Sequence, residues 1–88
     1  MKIKSSFVLR KVAGVWTVIP LADKTLSFDG MITMNESGVL LWNRLVEGCS
    51  TQDLVNVLTG TYDVTADEAA ADVASFVDKL RSCGCLEE

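Results

Sequence analysis

Three cysteines are the residues best able to do chemistry in this 88-residue chain, and two of them stand one residue apart, as Cys83-Gly84-Cys85. A pair so spaced could supply half of a metal site or a redox couple. A structural zinc site needs four ligands, and Cys49 is the remaining thiol that could serve as a third. The chain has no histidine, which removes the commonest general base, the Ser-His and Cys-His dyads and the most frequent metal ligand. Free cysteine otherwise behaves as a small apolar residue, so Cys83 and Cys85 read as packing groups where the chain turns off a helix. The acidic pairs Asp67/Glu68 and Glu87/Glu88 read as helix N-terminal charge and a solvated tail. The six glycines are isolated from one another, so no phosphate-cradling loop is present. These residues point to no enzyme, no metal and no cofactor.

Binding is the alternative, and it depends on the elements that the sequence builds. Phe7 to Val12 and Val15 to Ile19 are β-branched and aromatic runs joined by Ala13-Gly14, the pattern of a tight hairpin. Ala at the first turn position is a poor fit to the positive φ that such a turn demands. Pro20 should close the second strand, because it cannot donate to a ladder. A third strand is expected from Leu26 to Thr33, with Phe28, Gly30 and Ile32 on one face and Asp29, Met31 and Thr33 on the other. Gly30 inside it marks a bulge or a place where another backbone comes close.

Three helices should follow. Asn35 is a good N-cap, and Gly38, Leu41, Trp42 and Leu45 then share one face before Gly48 stops the helix. Ser50 or Thr51 caps a second helix, with Leu54, Val57 and Leu58 inward, Gly60 at its end and Tyr62 folding back onto the core. Thr65 to Glu68 is a capping box opening a long third helix. That helix should bury Ala69, Val73, Phe76, Val77 and Leu80 and stop at Gly84. Trp42 belongs to the core; Trp16 on its strand could serve the core or an interface, with the core favoured. The fold class is α+β: a three-stranded antiparallel sheet followed by three helices, winged helix-turn-helix-like in order.

Residues 1–88 form one domain, too short for a barrel or a doubly wound sheet. A mean hydropathy of +0.29 is high for so small a protein and hints at apolar surface kept for a partner. No apolar run approaches the ~20 residues of a membrane span, and no signal-peptide core follows Met1. Three unevenly placed thiols make no disulfide framework, in keeping with a cytoplasmic setting. Charge is divided along the chain: residues 1–24 carry a net +4 and residues 25–88 a net −8. A winged-helix DNA-binding regulator is the alternative that the element order allows. Asp67, Glu68, Asp72 and Asp78 on its recognition helix would repel phosphate, so nucleic acid is not the expected partner. Arg44, Lys79 and Arg81 read as solvated helix charges unless a groove lies beside them, where they could meet an acidic peptide.

Met31-Ile32-Thr33-Met34-Asn35-Glu36-Ser37-Gly38 followed by Trp42 resembles the strand, Leu-Asn-Glu-Thr, helix junction of the PqqD family. Asp72-Val73-Ala74-Ser75-Phe76-Val77-Asp78-Lys79-Leu80, then Gly84-Cys85-Leu86, is similar to that family's closing helix and terminal Gly-Leu. Val46-Glu47-Gly48 looks like its Asp-Gly turn. The resemblance runs from about Phe7 to Glu88, with Cys85 departing from the family's usual Leu. It implies a RiPP precursor-peptide recognition element, which binds the leader of a ribosomally made peptide and delivers it to a modifying enzyme, often a radical S-adenosylmethionine protein. The family's founding member serves pyrroloquinoline quinone biosynthesis. By the same resemblance, the leader adds as a strand beside the third strand, over a groove floored by the third helix. The first and third strands of a meander are edges with unpaired N–H and C=O groups, which an extended peptide can complete. The residues expected to hold it are Ser27, Phe28, Asp29, Gly30, Met31, Ile32 and Thr33 of the strand, with Asp72, Val73, Phe76, Val77 and Leu80 of the helix. A free edge also allows a homodimer through edge strands.

Overall fold

The computed structural model describes residues 1–21 and 32–87. The elements run β1 (Lys2–Ile3), β2 (Phe7–Val12), β3 (Val15–Pro20), β4 (Ile32–Met34), α1 (Glu36–Glu47), α2 (Thr51–Thr61), α3 (Ala66–Ser82) and β5 (Leu86–Glu87). The fold is α+β, with a three-stranded antiparallel sheet β2-β3-β4 followed by three helices.

The hairpin forms as expected, with Val12 opposite Val15 and Phe7 opposite Pro20. Both turn residues have positive φ, 52° at Ala13 and 82° at Gly14, so the turn takes the primed geometry in spite of its alanine. The third strand is described from Ile32 to Met34, and the rest of the expected run, with Ala22 to Met31, lies outside the described residues. Within β4, side chains alternate: Ile32 and Met34 are buried and Thr33 is exposed.

Each helix opens on a side-chain cap. Asn35 Oδ1 accepts from the Gly38 N–H at 3.0 Å, while Ser50 with Asp53 and Thr65 with Glu68 form reciprocal capping boxes. The two hydrogen bonds from Ser50 hold the Asp53 carboxyl below its usual range. α2 does not stop at Gly60, as the sequence suggested, but continues to Thr61 with Tyr62 as its cap. It buries Val55 along with Leu54 and Leu58, leaving Val57 half-buried.

The end of α3 explains the Cys-Gly-Cys motif. Gly84, with φ of 73°, lets the Cys85 N–H reach the Leu80 carbonyl at 3.1 Å and the Gly84 N–H reach that of Arg81 at 3.1 Å. This is a Schellman closure, whose usual apolar contact joins the residue after the glycine to the helix's last turn. Cys85 occupies that apolar position and, like Leu80, is fully buried. Burial pushes its thiol pKa up to about 11, aided by Cys83 and opposed by Lys4. A thiol held protonated in this way is a poor nucleophile.

β1 and β5 were not anticipated. Lys2 pairs with Glu87 and Ile3 with Leu86, and the Lys4 N–H donates to the Cys85 carbonyl at 2.8 Å. The Met1 amino group and carbonyl both bond to the backbone of Cys49, at 3.0 and 2.9 Å. The start of the chain is thus fastened to the end of α3 and to the α1–α2 turn. Trp42, Leu45, Leu54, Val73, Leu80 and Val18 fill the core between sheet and helices. Trp16 is half-buried against it, with the Lys11 ammonium 5.8 Å from the centroid of its ring.

Candidate functional site

The site is built around β4. One side of this strand is hydrogen-bonded to β3, in the register Trp16–Met34, Thr17–Thr33 and Val18–Ile32. Among the described residues no strand lies on its other side, and the chain's own tail, β5, is paired with β1. In an antiparallel pair alternate residues turn their N–H and C=O away from the partner, so the outward-facing main-chain groups of β4 have no strand partner among the described residues.

A cleft of about 790 Å³ opens where β4 runs into α1. The first turn of α1 forms one wall. Gly38 belongs to that wall for a steric reason: a Cβ there would lie 3.2 Å from Met34 Cβ, so glycine lets the helix start close against the strand. Asn35 bonds to both the Gly38 N–H and the Ser37 hydroxyl, and fixes that turn. Leu41, Leu58, Tyr62 and Val64 supply apolar surface, and α3 supplies Asp72, Ser75, Phe76 and Lys79.

α3 is divided between two surfaces. Ala69, Val73, Val77 and Leu80 recur at helical spacing and are buried in the core. Asp72, Ser75, Phe76 and Lys79 recur at i, i+3, i+4 and i+7 on the adjoining face and line the cleft. Of the helix residues expected at the site, Asp72 and Phe76 line this opening, whereas Val73, Val77 and Leu80 pack inside, 0–5% exposed. Ile32 is buried, Thr33 is exposed on the strand, and Ser27 to Met31 lie outside the described residues. Charge in the cleft comes from the carboxylates of Glu36 and Asp72 and the ammonium of Lys79. None of the three is in an ion pair among the described residues, whereas Arg44 meets Glu47 and Arg81 meets Asp78.

A family model described as Coenzyme PQQ synthesis protein D (PqqD) matches residues 21–86, well over half of the chain. The chain belongs to the PqqD family. No curated protein sequence matches it. Two solved structures share this PqqD-family fold. One is "TbiB1 in Complex with the TbiA(beta) Leader Peptide", at 21% identity and a TM-score of 0.77, covering 99% of this chain and 95% of that one. The other is "Lasso peptide synthetase B1 complexed with the leader peptide", at 20% identity and a TM-score of 0.75, covering 99% and 96%.

Several cleft residues of this PqqD-family chain escaped the sequence reading. Tyr62 and Val64 sit in the α2–α3 connection, where no periodicity marks a face. Lys79, which the sequence leaves as a solvated charge unless a groove lies beside it, does line the cleft, three residues after Phe76 and seven after Asp72. No three His, Cys, Asp or Glu residues among those described are grouped to hold a metal ion. No described helix is long and apolar enough to cross a membrane.

Proposed function

We propose that this protein binds the leader segment of a ribosomally made precursor peptide as a strand added to the free edge of β4, and presents it to a modifying enzyme. The observation that carries the reading is an outer edge of β4 with no strand partner among the described residues, next to a cleft partly lined by apolar side chains. Main-chain hydrogen bonds to the edge would supply affinity, and side chains seated against Phe76, Leu41 and Tyr62 would supply selectivity. Family membership and a fold shared with two leader-peptide complexes support it.

In this reading the 88 residues act as one cytoplasmic binding domain and not as an enzyme. Ser27 to Thr33, Asp72 and Phe76 hold the peptide, while Val73, Val77 and Leu80 support the helix from behind. The family likeness makes a radical S-adenosylmethionine enzyme a partner to test first. Without peptide, the same edge would let two copies pair. A DNA-binding role finds no support in α3, whose exposed residues include Asp67, Glu68, Asp72 and Asp78.

The test is an NMR titration of labelled protein with the leader of a precursor peptide encoded beside its gene. Amides of Ile32 and Thr33 and the ring of Phe76 should shift together. Shifts confined to the exposed side of α2, at Gln52 and Asn56, would overturn the proposal.

A further inference from the structure

The cleft face of α3 is ordered by charge: Asp72 stands one turn before Phe76, and Lys79 one turn after it. The row spans two turns, about 10.5 Å along the helix axis. Residues two before and two after a given position on a strand lie about 13 Å apart on the same face. The flexible Lys79 side chain can take up the small difference. Asp72 and Lys79 are exposed and neither is in an ion pair among the described residues, so both are free to meet a partner's charges. Phe76 between them is half-buried and presents an apolar seat.

We infer that the cleft selects an extended segment with one apolar side chain over Phe76, flanked two residues away by a basic side chain at Asp72 and an acidic one at Lys79. The inference rests on the peptide-binding reading and adds the sequence pattern that such a peptide must carry. Glu36, on the first turn of α1, is the cleft's second carboxylate and is unchanged in both variants described below. Each matched charge should raise affinity roughly threefold at low salt, since the pairs are solvent-exposed. The preference should fade as salt shortens the range of the interaction.

The experiment is selection from a random seven-residue peptide library displayed on its encoding RNA, against the whole protein and two single variants, Asp72→Lys and Lys79→Glu. Both positions are exposed, and circular dichroism melts would establish that each variant keeps its fold. The unaltered protein should recover peptides with an apolar residue and one flank of each sign. Lys79→Glu should recover the same apolar residue with two basic flanks, and Asp72→Lys the same with two acidic flanks. This outcome does not depend on which way the peptide runs along β4. Apolar-anchored peptides with the same flanking charges from all three proteins would overturn the charge reading and leave peptide binding standing. Recovery of no apolar-anchored peptide from the unaltered protein would overturn both.

Discussion

Phe76 and Val77 are neighbours in α3 that serve different surfaces: Val77 is 5% exposed in the core, while Phe76 lies half-buried on the cleft wall. One step along a helix turns the side chain by about 100°, enough to move from the packed interior to the mouth of the site. A pair of alanine substitutions separates the two roles. Val77→Ala should destabilise the protein by about 1–3 kcal/mol through the cavity it leaves, with leader affinity kept. Phe76→Ala should weaken leader binding about tenfold or more with a smaller loss of stability. Urea unfolding and calorimetric titration of both variants would check this, and equal binding losses would mean that α3 presents no distinct cleft face.

Strand addition has a signature with a period of two. If the leader completes the edge of β4, N-methylation of every second leader amide removes a donor to β4 and should cost roughly tenfold in affinity or more. Methylation at the intervening positions should be tolerated. A uniform response along the peptide, measured by competition binding, would exclude pairing with β4.

Cys85 links stability to alkaline pH. Its thiol titrates near 11 in the folded protein against an ordinary value of 9.0, so the unfolded chain gives up this proton first. The stabilisation is therefore complete below about pH 9 and is lost as pH rises towards 11. That difference corresponds to about 2–3 kcal/mol. Cys85→Val should flatten the fall in unfolding free energy between pH 9 and 11 relative to the unaltered protein. Parallel slopes for the two proteins would show that Cys85 is not the group responsible.

The hairpin turn holds a removable strain. Ala13 sits at φ 52°, a conformation that costs a residue with a Cβ roughly 1–2 kcal/mol. Asparagine tolerates it better, and Asn-Gly is the preferred pair for this turn. Ala13→Asn should raise stability by about 0.5–1 kcal/mol, read as a higher urea midpoint at unchanged slope. A lower midpoint would mean that the turn adopts another geometry in solution.

What could be read directly from the sequence is what short-range physics controls. Asn35, Ser50 and the Thr65–Glu68 box mark helix starts because a side chain reaches backbone N–H groups only three residues away. Gly38, Leu41, Trp42 and Leu45 are identifiable as core because their spacing matches one helical face. The conformation of Gly84 likewise follows from the stop it imposes on α3. Gly60 misled because an exposed glycine with nothing near its missing side chain weakens a helix without ending it.

Tertiary structure alone decided the rest. β1 and β5 are two residues each, too short for periodicity to register, and they find each other across more than eighty residues of chain. Phe76 sits on the shoulder of α3's apolar stripe, where spacing cannot tell core from cleft; only the placement of the start of α1 and the α2–α3 connection around the same cleft settles which surface it joins. That no described strand pairs with the outer side of β4 is likewise a property of arrangement, since a strand's residues fix its propensity to pair but not which neighbours come within reach. Local patterns are written along the chain, whereas a sheet edge and a cleft exist only once distant segments have packed around them.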